Sequence, residues 1–164
     1  MTENLDRKTG ETLTLESRIS ELTLVHSWIE RLALQYAIPQ NTRFAMNLCL
    51  EEVLSNIIWH GYSGASNHSI TVHFESQQGC GFTLTVEDQS PPFNPVDAPE
   101  LPPIDLHDQV RIGGQGIRLL RAFANTLEYR RTPAGNRLII GFAASNPLIA
   151  SGCACCPAPS ENVL

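Results

Sequence analysis

The chain of 164 residues contains one lysine, Lys8, and its 11 basic residues stand against 17 acidic ones, for a formal net charge of -6. So few cations exclude broad electrostatic binding to nucleic acid, which needs clustered Lys and Arg opposite phosphates. No direct nucleic-acid partner is expected. Long hydrophobic runs are missing too: no stretch approaches the roughly 20 apolar residues that span a bilayer. The first 11 residues are polar and mixed in charge, without the apolar centre of a secretory signal. The expectation is a cytoplasmic protein with no membrane partner. Histidine is absent after His107. The thiols of Cys153, Cys155 and Cys156 therefore have no imidazole nearby to complete a four-ligand zinc site, and a frayed tail is favoured there. Cys49 and Cys80 stand singly in apolar patterns and read as buried free thiols. What is present is 42% hydrophobic residues, which removes the disordered and collagen-like classes. The length suits one domain with its own core.

Residues 12–17 alternate as a strand does. From Ser20 the period changes: Leu22, Val25, Ile29, Leu32 and Tyr36 recur every three or four residues, an amphipathic helix that Pro39 stops. His26 falls inside this pattern and reads as part of the packing helix rather than as a phosphoacceptor. A second helix runs from near Asn41 to about His60, carrying Phe44, Leu48, Val53, Ile57 and Ile58, and is broken by Gly61, Ser63 and Gly64. Residues 70–75 and 82–88 form two strands of a hairpin. Residues 89–115 hold six of the 11 prolines and read as a long irregular loop, of a length that is usually functional or disordered. A third helix follows Gly113 and Gly114, with Ile117, Leu120 and Phe123 on one face. Strands over 126–131 and 137–143 flank a turn at Pro133, Ala134 and Gly135. Helices do not alternate with strands, so a doubly wound sheet is disfavoured. The order predicts a two-layer α+β sandwich, a mostly antiparallel mixed sheet with helices on one face.

Three segments could carry chemistry. Residues four apart share a helix face, which puts Glu52, Asn56 and His60 on one stripe. There an Asn oxygen can ligate a hard cation, and a Glu can position or deprotonate a hydroxyl. The bland reading is a solvated polar face. Asp88 ends an apolar strand just before Ser90, Pro91, Pro92 and Phe93. A carboxylate there can accept from an exocyclic amine in an apolar pocket, or can simply terminate the strand in a turn. Gly113, Gly114, Gln115, Gly116 and Ile117 open the third helix, where free N–H groups can meet phosphate. No Lys-Ser or Lys-Thr follows and no strand directly precedes, so this is neither a P-loop nor a dinucleotide fingerprint. Six of the ten arginines lie between Arg111 and Arg137. They suit a polyanion or an acidic partner, or serve solubility.

The order of these segments resembles the GHKL ATPases, and among them the short RsbW-type anti-sigma-factor serine/threonine kinases. The matching residues are Glu52-x-x-x-Asn56-x-x-x-His60-Gly61-Tyr62, Asp88-x-Ser90-Pro91-Pro92-Phe93, Gly114-Gln115-Gly116-Ile117 and Gly135-Asn136-Arg137-Leu138. The resemblance spans roughly residues 11–144 and implies a sandwich of the Bergerat type. It further implies that Asn56 ligates Mg²⁺ on ATP, that Glu52 is the catalytic base, and that Asp88 binds the adenine amine. Gly114 and Gly116 would lie against the phosphates, with Ser90, Ile117 and Asn136 also at the nucleotide. On this reading residues 1–10 are a flexible N-terminus. Residues 11–146 are the ATPase domain with its lid at about 89–115, and 147–164 are a Cys- and Pro-containing tail. The implied activity is phosphorylation of a STAS-domain anti-anti-sigma protein by a homodimer that also binds a sigma factor. Two positions depart from the family pattern. Ser90 replaces a Gly, and its narrower backbone range is expected to weaken nucleotide binding. Asn136 replaces a Thr and keeps hydrogen-bonding capacity. The alternative is a non-catalytic nucleotide- or protein-binding module of the same fold. A histidine-kinase catalytic domain and a gyrase-type motor are disfavoured, because the chain has no room for their additional domains.

Overall fold

The structure, a computed structural model, describes residues 9–77, 81–96 and 115–144. Strand β1 (Thr9–Glu16) leads through a 3-10 turn (Ile19–Glu21) into α1 (Leu22–Gln35). Helix α2 (Gln40–Asn56) continues into a π-helical turn (Ile57–Gly61). Strands β2 (Ser69–Gln77) and β3 (Gly81–Asp88) follow, then α3 (Gln115–Phe123), β4 (Thr126–Thr132) and β5 (Gly135–Phe142).

The five strands form one sheet in the order β1-β2-β3-β5-β4. Every pairing among them is antiparallel. The two-layer α+β sandwich is as the sequence indicates, but the sheet is not mixed. The reason is the pair of successive helices between β1 and β2. They return the chain to the end where β1 finished, so Ser17 N–H donates to His68 O at 2.8 Å and β2 runs back beside β1.

Side chains alternate across a strand, and the inner face carries the core in cross-strand rows. One row joins Phe74, Leu84, Ile140 and Leu127, and the next joins Leu13, Val72, Val86, Leu138 and Tyr129. Beyond them the apolar rows give way to a polar one: Asp88 faces Asn136, and Asn136 faces Arg131. From the helical layer Ile29, Leu32, Met46, Leu50, Leu54 and Leu120 close the core, each essentially without solvent exposure. Complete burial of one such side chain stabilises by about 1.5–3 kcal/mol. Cys49 is buried among them, and burial pushes its thiol up to about 12, with the Glu52 charge adding to the effect. It is an inert apolar filler, as the sequence suggests. Cys80 and the three C-terminal cysteines lie outside the described residues.

Several local expectations change. Helix α1 is ended before Pro39: Tyr36 caps it, Ala37 takes a left-handed φ of 50°, and Ile38 N–H reaches Ala33 O at 3.0 Å. This is a Schellman termination with alanine where glycine is usual. Pro39 instead sits at the N-cap of α2. His26, expected to pack, is exposed on α1 beside a shallow groove lined also by Leu22, Thr23, Val25, Asn47 and Glu51. Phe44 and Phe123, expected in the core, meet each other edge to face at the surface, 5.8 Å between ring centroids.

Candidate functional site

The polar row at the end of the sheet, the π-helical turn and the start of α3 enclose a cavity of about 490 Å³, a volume within the usual small-ligand range. Its walls are mostly apolar: Val53, Ile57, Val86, Ile117, Leu120 and Leu138, with Pro91, Pro92, Phe93 and Pro95 along the loop side. Polar groups enter from Asn56 and His60 on the helical side and from Asp88, Ser90 and Asn136 on the sheet side. Of the residues expected at a site, Asn56, Asp88, Ser90, Gly116, Ile117 and Asn136 all line this one cavity. Gly114 and most of the expected lid at 89–115 lie outside the described residues.

Asp88 is buried and holds a fixed orientation. Its Oδ1 accepts from Ser90 N–H at 2.8 Å and from Asn136 Nδ2 at 3.0 Å. Its Oδ2 has no partner among the described residues. In a cavity with apolar walls, such an acceptor selects a ligand that brings an N–H.

The loop after Asp88 is clamped from both sides. Tyr62 Oη accepts from Gln89 N–H at 2.8 Å, and Tyr62 stacks on His68 at 4.1 Å. From the sheet side, Arg131 Nη1 donates to Ser90 O at 2.9 Å, and Asn136 Nδ2 to the same oxygen at 3.1 Å. Ser90 itself is not among the residues with positive φ, so a serine is accommodated here without left-handed backbone strain. Its side chain is accommodated by Gly61: a Cβ there would lie 2.7 Å from Ser90 Oγ and 2.8 Å from Ser90 Cβ.

Opposite Asp88, α3 starts against α2. A side chain on Gly116 would collide with Glu52 Oε2 and come within 3.4 Å of Asn56 Nδ2. Glycine is what lets the helix start, with its free N–H groups, stand over these two polar groups. Neither Glu52 nor Asn56 has a side-chain hydrogen bond among the described residues. A carboxylate and an amide oxygen one helical turn apart form an all-oxygen donor set of the kind Mg²⁺ takes. The residues therefore fit a metal-bound polyphosphate: oxygen donors below, helix N–H groups above, and an amine acceptor across the cavity.

The expected stripe of Glu52, Asn56 and His60 holds in part: Glu52 and Asn56, one α-helical turn apart, both lie under Gly116, and Asn56 and His60 both line the cavity. Beyond Asn56 the helix widens, with Tyr62 N–H bonding Ile57 O at 2.8 Å, five residues back. His60 is exposed at the cavity, while Glu52 lies under Gly116 and outside the cavity lining. Of the six arginines expected to form a local positive region, Arg111 lies outside the described residues and four of the others are engaged. Arg121 donates to Val96 O, Arg130 pairs Glu128, Arg131 holds Ser90 O and Asn136, and Arg137 pairs Glu87. Sequence reasoning passed over Tyr129, Arg131 and the packing role of Gly61. The signal for the first two was the alternation in β4, which places them on the same face as Leu127.

Comparisons with known proteins agree with this geometry. Residues 15–142 match the family described as the histidine kinase-like ATPase domain. The serine/threonine-protein kinase BtrW of Bordetella bronchiseptica is 29% identical over 134 residues, covering 80% of this chain and 93% of that protein. Among solved structures, the RsbU and RsbW domains of a Mycobacterium tuberculosis protein superpose with a TM-score of 0.60 at 14% identity. That match covers 85% of this chain but 33% of the other. A blue-light-activated histidine kinase domain from Erythrobacter litoralis gives a TM-score of 0.50 at 19% identity, over 77% of this chain and 60% of the other. The chain thus spans only part of both solved structures, and at these identities they speak to the fold alone. With the family match running from β1 to the end of β5, over the sheet and helices that build the cavity, the chain belongs to the histidine kinase-like ATPase domain family.

Proposed function

We propose that this protein is an ATP-dependent protein serine/threonine kinase of the RsbW type. On this reading it is a partner-switching regulator that phosphorylates a STAS-domain antagonist protein, binds a sigma factor in the alternate state, and works as a homodimer. The observation that carries the reading is the placement of Glu52 and Asn56 beneath Gly116, across one cavity from Asp88. The similarity to a protein named as a serine/threonine kinase supports it.

In this arrangement Asp88 Oδ2 accepts from the adenine amine and the apolar walls enclose the ring. The N–H groups at Gly116 and Ile117 face the phosphates. Asn56 would hold Mg²⁺ through its amide oxygen, and the ion, when bound, would neutralise charge on the transferring phosphoryl group. The Glu52 carboxylate takes the proton of the substrate hydroxyl as that oxygen bonds to the γ-phosphorus. The bond from the γ-phosphorus to the β,γ-bridging oxygen breaks, and ADP leaves.

The test is phosphotransfer from labelled Mg-ATP to the STAS-domain proteins of the same genome, beside Glu52→Ala. Label on a STAS serine or threonine is expected. The variant should still bind ATP and transfer about 10²- to 10⁴-fold more slowly, the usual contribution of one general base. Tight partner binding with no label in the wild type would replace the kinase with a non-catalytic module of the same fold.

A further inference from the structure

Asn136 sits at the centre of the polar row, with Asp88 directly opposite on β3 and Arg131 directly opposite on β4. Tyr129 is its diagonal neighbour, two residues before Arg131 on the same face. The carboxamide is buried. Its Oδ1 accepts from Tyr129 Oη at 2.7 Å and from Arg131 Nη1 at 2.8 Å, which uses both lone pairs. Its Nδ2 faces only acceptors: Asp88 Oδ1 at 3.0 Å, Ser90 O at 3.1 Å, Ser90 Oγ at 3.2 Å and Pro91 O at 3.3 Å.

The amide cannot turn over. A flipped Asn136 would set its N–H groups against Arg131, which has no acceptor, and its oxygen against the Asp88 carboxylate. Tyr129 and Arg131 on one side, with the acceptors around Nδ2 on the other, therefore fix which end of Asn136 meets Asp88. Asn136 and Ser90 N–H in turn saturate Asp88 Oδ1, so Oδ2 alone is offered to the cavity. A lone carboxylate oxygen accepts a hydrogen bond from a 6-aminopurine and repels the carbonyl of a 6-oxopurine.

We propose that Tyr129 and Arg131 are positioning residues for base selectivity. By fixing the Asn136 carboxamide they hold Asp88 in the one orientation that favours a 6-amino over a 6-oxo purine nucleotide. This rests on the nucleotide reading of the cavity given above and adds to it Tyr129, which lines the cavity beside Asn136, and Arg131, which is not among the lining residues. Removing both donors leaves Asn136 Oδ1 unpaired and takes away one of the two sides that orient the amide, so Asp88 is held less firmly, which weakens the amino-purine complex specifically.

The experiment is calorimetric titration of the full chain with Mg-ATP and Mg-ITP in the wild type, Tyr129→Phe, Arg131→Met and the double variant. Both substitutions preserve bulk at positions that are not buried, and Tyr129→Phe alone keeps the test readable if Arg131→Met disturbs the Ser90 loop. The wild type is expected to prefer ATP by at least about tenfold, the worth of one buried hydrogen bond against an unpaired acceptor. In the double variant the ATP-to-ITP ratio should fall several-fold, with Tyr129→Phe intermediate and ITP affinity little changed. A merely structural role predicts equal weakening of both ligands, so an unchanged ratio in the double variant would overturn the proposal while leaving the nucleotide reading standing. Binding of neither nucleotide by the wild type would overturn both.

Discussion

Two close contacts at the residue scale decide what the cavity is. Gly116 leaves the space over Glu52 and Asn56 open, and Gly61 leaves the space that Ser90 fills. Asn56 brings to the cavity wall an amide with no side-chain hydrogen bond among the described residues, so Asn56→Ala removes the oxygen proposed to hold Mg²⁺ without vacating a hydrogen bond among them. We expect Mg-ATP binding to be abolished in calorimetry while the thermal midpoint stays near that of the wild type. Undiminished binding would take Asn56 out of the site. Gly61→Ala should destabilise the protein by about 1–3 kcal/mol, the usual range for overpacking a close contact. In that background Ser90→Gly should recover most of the loss, because the obstructing atoms belong to the serine. A double-mutant cycle in denaturant reads the coupling directly, and additive effects would show that the two positions do not share the space.

The terminations matter most at the scale of the element. Ala37 closes α1 in the left-handed region, where an L-residue costs roughly 1–2 kcal/mol and glycine nearly nothing. Ala37→Gly relieves that strain but loosens the unfolded chain by about 0.4–1 kcal/mol. The expected net result is stabilisation of about 0.5–1 kcal/mol, measured by urea unfolding, and a loss of stability would mean that the strain argument is wrong here. The end of α2 works differently. Its last turn widens to π geometry, which brings Gly61 against Ser90 and lets Tyr62 Oη reach Gln89 N–H. No periodicity in residues 57–61 announces this, since π and α turns use the same apolar residues. Helix existence was therefore legible from the recurrence of Leu22, Val25, Ile29 and Leu32, while the means of helix ending was not.

At the scale of the whole molecule, ion pairs among the described residues tie its parts together, and two of them shift a carboxyl. Arg31 on α1 holds Glu11 on β1 at 2.6 Å, and its hydrogen bond holds that carboxyl below its ordinary value. Burial works to raise Glu87, but hydrogen bonds from Arg137 and His73 outweigh it and the net direction is down. Carboxyls depressed in the folded state stabilise it fully above their unfolded value of about 4.3, and that contribution is lost as pH falls through the folded values. The thermal midpoint should therefore drop from pH 5 toward pH 3, less steeply in Arg31→Met than in the wild type. Equal slopes would remove the Glu11 pair from the balance. Both pairs are partly exposed, so their share is small and is reduced by salt.

The sequence by itself determined the elements and the kind of sandwich they make. Period and punctuation are local properties, and a buried face must repeat every 3.6 or every two residues wherever it occurs. It also placed Asp88 and Gly116 as candidates at a strand end and a helix start, Asn56 one helical turn from Glu52, and Asn136 through the resemblance to a known family. Only the tertiary structure decided how they combine. β3 and β5 are neighbours in the sheet though α3 and β4 separate them in the chain, and that pairing alone sets Asn136 between Asp88 and Arg131. A hydrogen-bond network across three strands depends on register, and register follows from the packing of the entire inner face, which no local stretch of sequence contains.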